Sequence, residues 1–277
     1  MGLNLSIQFL KKIIRLFGPQ RAAQISARIV ESLEPTLTIT TPFGPLIFFC
    51  PSTLTEWRTN TLLTKEPDTI AWITSFVETD VLWDIGANVG VYSLFAALKG
   101  HNVLAFEPAP GNYYLLNKNI ELNHLDEKLS AYCIAFHDTS KLDRFFMQNT
   151  ELGCALNSFG EALDWQGTPF APSLKQAMIG FSLDGFIESF RPPFPNHLKL
   201  DVDGNEGKII QGAKKTLSDP RLKSILVELD PSRPDYINHI ISTLSHAGLS
   251  PAPSLSTSND SLATADSNLN HIFIRHG

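Results

Sequence analysis

Two hydrophobic patterns alternate along most of the chain. Short apolar runs, typical of buried strands, precede stretches in which apolar residues recur every three or four positions, as on one helix face. Predicted strands begin at Val81, Asn102, Leu129, Leu198, Ser224 and His271. The third strand is expected to run to Ala135, and one helix is expected over residues 209–217. This order predicts an α/β fold: a mostly parallel sheet with helices on both faces and a C-terminal antiparallel hairpin.

The chain is expected to have two regions. Residues 1–77 should contain an N-terminal helix, a β-hairpin within residues 36–50 and a connecting helix. The main domain is expected at residues 78–277, with an insertion at about 137–180. That insertion is rich in glycine, proline and aromatic residues and has little helical period, which is typical of a lid or binding segment.

Residues 3–17 predict an amphipathic helix with Lys11, Lys12 and Arg15 beside its apolar stripe. Packing of this stripe on the main domain is the first interpretation, and docking on an anionic membrane surface is the second. A secretory signal is disfavoured because the basic residues interrupt the apolar run. Near the other end, residues 250–270 are rich in serine, asparagine and threonine and predict a mobile connection within the final hairpin.

Composition excludes several classes of protein. Charged residues make up 18% and hydrophobic residues 43% of the 277 residues, so the chain can bury a full core. The net charge of −6 argues against nucleic acid as a partner. Three widely spaced cysteines form neither a metal pair nor a disulfide framework, which favours a cytoplasmic location. No apolar run is long enough to span a bilayer.

A glycine-containing turn between the first main strand and its helix predicts a nucleoside site. Gly86 permits a sharp turn, and the N–H groups that open the helix can bind an anion. Glu107, 21 residues after Gly86, ends the next strand and can accept hydrogen bonds from two ribose hydroxyls. Asn88 replaces the middle glycine of the dinucleotide pattern, and Asp84 would repel a pyrophosphate. Both features favour S-adenosylmethionine over a nicotinamide dinucleotide.

Three segments resemble the FkbM-type methyltransferases, a family of S-adenosylmethionine-dependent O-methyltransferases. They are Val81-Leu-Trp-Asp-Ile-Gly-Ala-Asn-Val-Gly-Val-Tyr-Ser, Ala105-Phe-Glu-Pro with Asn112, Leu116 and residues 119–123 downstream, and Leu198-Lys-Leu-Asp-Val-Asp-Gly-Asn-Glu. The resemblance covers roughly residues 80–230 and implies a Rossmann-like class I methyltransferase fold. It departs from the family at Asp203, where the family often has glutamate.

The resemblance also implies which residues hold the cofactor. Those implied to line its methionine end are Asp84, Gly86, Asn88 and Gly90, and Glu107 is implied to hold the ribose. The adjacent Ala87 and Pro108 are included among the cofactor-binding residues. His137, which follows the third strand, is expected to flank the adenine or to serve as a base. His197, beside a proline run, is expected in a surface or turn position.

Several carboxylates are expected at the reacting end of the site. Lys199 and Asp201 share one face of a predicted central strand and are the candidate catalytic residues. Asp203 and Glu206 follow in the next turn, and Glu228 ends the neighbouring strand. Such groups can orient a hydroxyl, act as general base or bind a divalent cation. A metal held by Asp201 and Glu228 is the less favoured of these uses.

These observations favour a methyltransferase that acts on a hydroxyl of a small metabolite, sugar or lipid-linked glycan. The choice of a hydroxyl as the methyl acceptor is implied by the family resemblance. An NAD(P)-dependent oxidoreductase and a catalytically inactive cofactor-binding module are the alternatives. The expected location is cytoplasmic, with peripheral contact to the inner membrane face through residues 3–17 as a further hypothesis.

Overall fold

The computed structural model describes residues 2–252 and 270–276, and the chain divides into two compact units, Met1–Thr36 and Leu37–Gly277. The first unit contains the helices α1 (Gly2–Arg15) and α2 (Pro19–Leu33). The helix predicted near the N-terminus is confirmed by α1. The sequence pattern does not predict α2, because alanine, serine and glutamine weaken its apolar stripe.

The remaining elements follow in chain order. The strands are β1 (Thr36–Thr41), β2 (Gly44–Phe49), β3 (Val81–Ile85), β4 (Asn102–Phe106), β5 (Leu129–Tyr132), β6 (Ala135–Phe136), β7 (Lys141–Met147), β8 (Ser158–Phe159), β9 (Leu174–Phe181), β10 (His197–Leu200), β11 (Ser224–Glu228), β12 (Leu249–Pro251) and β13 (Asn270–Arg275). The helices are α3 (Thr53–Asn60), α4 (Pro67–Thr74), α5 (Val91–Leu98), α6 (Pro110–Asn123), α7 (Leu183–Phe190), α8 (Glu206–Gln211), α9 (Lys214–Ser218) and α10 (Pro234–His246).

The main sheet has the order β12-β13-β11-β10-β3-β4-β5 within the described residues. Strands β11, β10, β3, β4 and β5 are parallel, and β13 runs antiparallel between β11 and β12. The predicted α/β fold with a C-terminal antiparallel hairpin is therefore confirmed. From β3 the chain continues to β4 on one side, whereas β10 lies on the other, and ligands of such sheets bind where the order reverses in this way.

Apolar side chains from both faces of this sheet form two cores. On one face Trp83, Phe106 and Leu198 pack with residues of α7 to α10 such as Phe186 and Ile240. On the other face the partners are α4, α5, α6 and the hairpin β1–β2. Burial on both faces is the reason that the parallel strands are almost continuously apolar.

Helix α6 supports the edge of strand β2 with two asparagine side chains. Asn123 accepts from the Ile47 N–H at 2.8 Å and donates to the Ile47 carbonyl at 2.7 Å. Asn119 accepts from the Phe49 N–H at 2.8 Å. These bonds satisfy backbone groups that β1 does not reach, so the hairpin is fixed to the second unit. The structure thus divides the chain after Thr36, not near the predicted boundary at residue 77.

The insertion forms a second sheet with the order β6-β9-β7-β8. Strand β7 pairs antiparallel with β9 over the whole length of β7. The predicted strand from Leu129 to Ala135 is wrong in extent, because the chain leaves the main sheet after Tyr132 and Ala135 joins the second sheet. The connection predicted at residues 250–270 lies largely outside the described residues.

The single helix predicted over residues 209–217 is two helices, α8 and α9, on either side of Gly212. A Cβ at Gly212 would lie 2.3 Å from the carbonyl oxygen of His137. The backbone of the insertion therefore crosses the helix where no side chain fits, and the crossing coincides with the break between the helices.

Candidate active site

Four carboxylates meet at the carboxyl ends of four adjacent parallel strands. Glu228 ends β11, Asp201 follows β10, Asp84 lies in β3 and Glu107 follows β4. All four line one cavity. The sheet order thus brings together acidic residues that are up to 144 positions apart in the sequence.

Lys199 is the buried cation of this cluster. It pairs in register with Asp84 on the neighbouring strand, and its Nζ donates to Asp201 Oδ2 at 2.6 Å. Burial opposes the charge of Lys199, but the carboxylates of Asp201 and Asp84 outweigh it and raise the lysine pKa. Its Nζ also lies 5.2 Å from the centre of the Tyr92 ring. The structure therefore brings together Lys199 and Asp201, as their shared strand face predicted.

Asp201 and Glu228 form a hydrogen-bonded carboxyl pair that shares one proton. Burial raises the pKa of Asp201, but Lys199 reverses that effect and lowers it overall. The negative charge of Asp201, together with burial, raises the pKa of Glu228. At neutral pH Asp201 is therefore the ionised member and Glu228 the protonated one.

Asp203 lies in the turn after β10, with a left-handed φ of +58°. Its Oδ2 accepts from the Leu156 N–H at 2.6 Å, which connects this turn to the insertion. Burial, with a smaller contribution from Asp201, raises the pKa of Asp203 to about 6. This side chain borders the main cavity and a second cavity beside it.

Glu206 closes the same turn. Its Oε1 accepts from the N–H groups of Val202 and Gly204, both at 3.1 Å, and its Oε2 lies 3.3 Å from the Tyr236 hydroxyl. Burial raises the pKa of Glu206 to about 7. It lines the second cavity but not the main one, so its position indicates a structural role in the turn.

Glu107 fixes the glycine-containing turn from the neighbouring strand. Its Oε2 accepts from the Asn88 N–H at 2.8 Å, and its Oε1 accepts from the Ala109 N–H at 2.9 Å. Burial raises the pKa of Glu107 to about 7 despite these bonds. Each oxygen keeps further lone pairs, so the carboxylate can still accept from a ligand.

Backbone donors of the turn are already used within the protein. Gly86 and Ala87 donate to the Phe106 carbonyl at 2.9 and 3.1 Å, and Gly90 donates to the Ala87 carbonyl at 2.8 Å. With Asn88 bonded to Glu107, these four N–H groups have partners. This turn does not present them to a phosphate.

The two glycines of the motif are required by packing. Gly86 has a φ of +89°, and a Cβ there would lie 1.8 Å from the Asp201 carbonyl oxygen. Gly90 has a φ of +86°, and a Cβ there would meet side-chain carbons of Leu116 and Leu94. Gly86 lines the main cavity and Gly90 does not. The cofactor contact implied for Gly90 stays a prediction.

Two buried oxygens of the cavity lining have no hydrogen-bond partner. Asp84 Oδ2 accepts from the Ser93 hydroxyl at 2.5 Å, whereas Asp84 Oδ1 accepts no hydrogen bond. Asn88 donates through its amide to the Cys154 carbonyl at 3.1 Å, and its Oδ1 is likewise unsatisfied. Unsatisfied buried acceptors are costly, so both positions suit a ligand that brings donors.

His137 lies outside the main cavity lining, and its role beside the adenine or as a base stays a prediction. Its Nδ1 is 2.7 Å from Asp138 Oδ1, and its ring meets the edge of the Phe159 ring at 5.6 Å. The residues that line the cavity beside Pro108 on this side are Ile134, Ala135 and Phe136. His137 lies outside this lining because the break between β5 and β6 redirects the chain before residue 137.

Sequence reasoning missed several residues of the cavity lining. Among them are Arg58 of α3 and Glu66 before α4, which lie outside the main motifs, and Tyr92 of α5, which lies within the first motif. Glu66 is buried and accepts from the Thr69 hydroxyl at 3.0 Å. Its position directly before Pro67 resembles an ordinary helix start, which conceals its place in the site.

A second cavity adjoins the main one at Asp203 and Glu228. Trp165 of the insertion and Arg233 before α10 lie on its walls. Arg233 donates to the Trp165 carbonyl at 3.0 Å, and its guanidinium lies 4.0 Å from the Tyr236 ring centre. These contacts hold a cation beside an aromatic side chain at the entrance to the acidic cluster.

No group of three metal-ligating side chains occurs within residues 2–252 and 270–276. Asp201 and Glu228 contact each other, but they share a proton, and Lys199 donates a hydrogen bond to Asp201. The pair offers the oxygens of two side chains, whereas a calcium or magnesium ion requires a larger set of oxygen ligands.

Comparison with known proteins identifies the family. A model described as a methyltransferase FkbM domain matches residues 84–250, which is more than half of the chain. The chain belongs to the FkbM methyltransferase family. The matched segment extends from Asp84 in β3 to the start of β12 and so includes the cavity carboxylates of all four strands. The predicted family resemblance is confirmed.

Three similar proteins have low sequence identity to the chain. The chain is 27% identical over 160 residues to the hexuronic acid methyltransferase AglP of Haloferax volcanii, covering 55% of this chain and 56% of that protein. It is 26% identical over 176 residues to methyltransferase 1 of Beauveria bassiana, covering 59% and 70%. The crystal structure of an FkbM methyltransferase from Methylobacillus flagellatus has a TM-score of 0.49 at 14% identity, covering 80% and 52%. The chain spans about half the length of the first of these relatives.

Proposed function

We propose that the protein transfers a methyl group from S-adenosylmethionine to a hydroxyl of a sugar. The observation that supports this most is the acidic cavity itself, which lies within the segment that matches the FkbM domain. When bound, S-adenosylmethionine supplies an electrophilic methyl group on a positively charged sulfur. Six acidic side chains against three basic ones line this cavity, which suits a cationic ligand.

The cavity residues fit this cofactor better than a dinucleotide. The unsatisfied oxygens of Asp84 and Asn88 can accept hydrogen bonds from an ammonium group. Glu107 can accept from ribose hydroxyls. A nicotinamide dinucleotide would bring a pyrophosphate to a turn whose donors at Gly86, Ala87 and Asn88 are already bonded. An oxidoreductase is therefore the weaker hypothesis.

Two aspartates have separate roles in the proposed transfer. Lys199 keeps Asp201 ionised, so Asp201 can orient the acceptor hydroxyl. Asp203, with a pKa of about 6, is the better general base because its pKa lies near neutral pH. Asp203 would accept the hydroxyl proton, while bound S-adenosylmethionine would supply the methyl group to the oxygen and its sulfur would leave as a neutral thioether.

The second cavity is the proposed acceptor site. It opens onto Asp203 and Glu228, so an acceptor there would reach the proposed base. Trp165 offers an aromatic surface for a sugar ring. Arg233 can pair with a carboxylate, as on an acidic sugar, and the relative AglP is named a hexuronic acid methyltransferase. We therefore expect a hexuronic acid unit as acceptor.

Calorimetry tests the cofactor site. S-adenosylhomocysteine should bind, and binding should release protons below pH 7. The free Glu107 carboxyl has a pKa of about 7, and ribose hydroxyl donors favour its charged form. Affinity should therefore fall as the pH drops below 7. Glu107→Gln should remove this part of the proton release. Binding of NADH without binding of S-adenosylhomocysteine would overturn the proposal.

Methyl transfer to matched sugars tests the acceptor. A hexuronic acid glycoside should be methylated, and its KM should rise about tenfold or more in Arg233→Gln, because a charge-assisted hydrogen bond is lost. The neutral hexoside should show no such change. Arg221→Gln, which removes an exposed arginine paired with Asp219, is the control. Absence of turnover with every hydroxylated acceptor would favour the inactive cofactor-binding module.

A further inference from the structure

The helix pair α1 and α2 has no apolar core of its own. Among the described side chains of these helices, none is buried, and only Ile14, Ala22, Ile25 and Ile29 are even half-buried. Large apolar side chains are exposed instead: Leu5, Ile7, Phe9, Leu10, Ile13, Leu16, Phe17, Val30 and Leu33. A continuous apolar surface of this kind usually marks an interaction site.

Helix geometry places this apolar surface on one side of α1. At about 100° per residue, the exposed apolar residues of α1 fall within one arc of about 200° that runs from Leu5 on one side to Ile7 on the other. Lys11 and Lys12 lie at the two borders of that arc, and Arg15 lies opposite its centre. Cations at both borders of an apolar face are arranged to reach headgroup phosphates while the apolar side chains enter the acyl region.

The charge of the N-terminal segment differs from that of the rest of the chain. Residues 1–30 contain five of the 22 basic side chains and none of the 28 acidic ones. The net charge of −6 therefore comes entirely from the residues after position 30. An anionic lipid surface would attract the first segment and repel the remainder, which would favour one orientation of the protein.

We propose that α1 and α2 dock the protein on an anionic membrane surface, with α1 lying in the plane of the headgroups. No helix within residues 2–252 and 270–276 is long and apolar enough to cross a bilayer. A second copy is a weaker occupant, because a symmetric contact between two such helices would bring Lys11, Lys12 and Arg15 of both copies together. The anionic leaflet faces the cytoplasm, which agrees with the predicted location.

Vesicle sedimentation with the full chain tests this docking. We expect binding to vesicles of phosphatidylcholine with phosphatidylglycerol, and much weaker binding to phosphatidylcholine alone. The triple variant Lys11→Gln, Lys12→Gln, Arg15→Gln should bind the anionic vesicles about a hundredfold more weakly. The control Lys128→Gln, Lys175→Gln, Lys214→Gln removes the same charge from exposed positions of the main unit and should bind like the wild type.

The apolar face is tested separately. Phe9→Glu with Leu16→Glu should abolish vesicle binding, whereas Leu142→Glu, at an equally exposed position of β7, should not. Binding of S-adenosylhomocysteine should be unchanged in all variants, which separates this result from the proposed function. Equal binding to both vesicle types would overturn the proposal. So would a wild-type dimer that does not bind vesicles and that dissociates in the Phe9→Glu, Leu16→Glu variant.

Discussion

At the residue scale, the acidic side chains of the site differ in protonation although they are chemically alike. Asp201 is ionised because Lys199 contacts it, and Glu228 is protonated because Asp201 does. Asp203 and Glu107 are mainly affected by burial and have pKa values of about 6 and 7. The sequence identifies these carboxyl groups, but their charge depends on neighbours that are distant in the chain.

The carboxyl pair leads to a prediction about Glu228 and Asp201. Glu228→Gln should retain turnover within a few-fold, because glutamine keeps a hydrogen-bond donor where the carboxyl group is already protonated. Asp201→Asn should lower kcat by about a hundredfold or more, since it removes the charge that we propose orients the acceptor. Steady-state kinetics at saturating cofactor would measure both.

Binding of S-adenosylhomocysteine by each variant is the control for intact folding of the site. A loss of turnover in Glu228→Gln as large as that in Asp201→Asn would contradict the assignment of the proton to Glu228.

At the element scale, local pattern and tertiary contact disagree around Gly212. The apolar residues Ile209, Ile210 and Leu217 continue one helical pattern, yet the structure has two helices. Likewise the apolar run from Leu129 to Ala135 reads as one strand but contributes to two sheets. In both places the chain contacts the insertion, and a search for helical periodicity does not detect the strands of that insertion. Periodicity detects the buried face of an element but not a crossing segment.

Gly212→Ala should change the free energy of unfolding in opposite directions according to helix propensity and according to the tertiary contact. Helix propensity alone predicts that alanine stabilises by about 0.5–1 kcal/mol. The structure instead predicts a loss of about 1–3 kcal/mol, because the new Cβ would overlap the His137 carbonyl oxygen. Urea unfolding would measure the free energy change. Gln211→Ala, at the exposed neighbouring position, is the control and should change the free energy of unfolding little. A stabilised Gly212→Ala protein would contradict the prediction, because it would mean that the backbone at His137 moves to make room for the Cβ.

At the scale of the whole molecule, a buried polar network connects elements at the amino ends of the strands. His197 contacts Asp80 Oδ2 through Nε2 at 3.0 Å and Ser224 through Nδ1 at 2.7 Å. The Trp72 indole donates to the same serine at 2.8 Å, and Phe76 stacks on the His197 ring. The expected surface or turn position of His197 is therefore wrong, because neighbours that only the fold supplies satisfy both ring nitrogens.

This network should make stability depend on pH. Burial lowers the pKa of His197 to about 4 from an ordinary value of 6.5, so the unfolded chain binds a proton more readily than the folded one between these values. The contribution of His197 is complete above pH 6.5 and is lost as the pH falls toward 4. Between pH 7 and pH 5 it should decrease by about 2 kcal/mol.

Comparison of the wild type with His197→Gln isolates this contribution. The raised carboxyl pKa values of the active site have the opposite sign, since they favour the folded state as the pH falls, but both proteins share them. The difference in free energy of unfolding between the wild type and His197→Gln should therefore decrease as the pH falls from 7 to 5. Parallel pH profiles for the two proteins would show that His197 does not titrate as its burial implies.

The sequence by itself determined the α/β order, the parallel strands and the placement of Asp84, Glu107, Asp201 and Glu228 at strand ends. These features follow from local hydrophobic patterns and from the alternation of side chains along a strand, which need no distant contact. Only the tertiary structure decided which carboxyl group holds the proton, that Gly90 and His137 lie outside the main cavity lining, and that the insertion builds a second sheet. Each of these depends on atoms brought together from distant parts of the chain, whose charge and volume no local pattern contains.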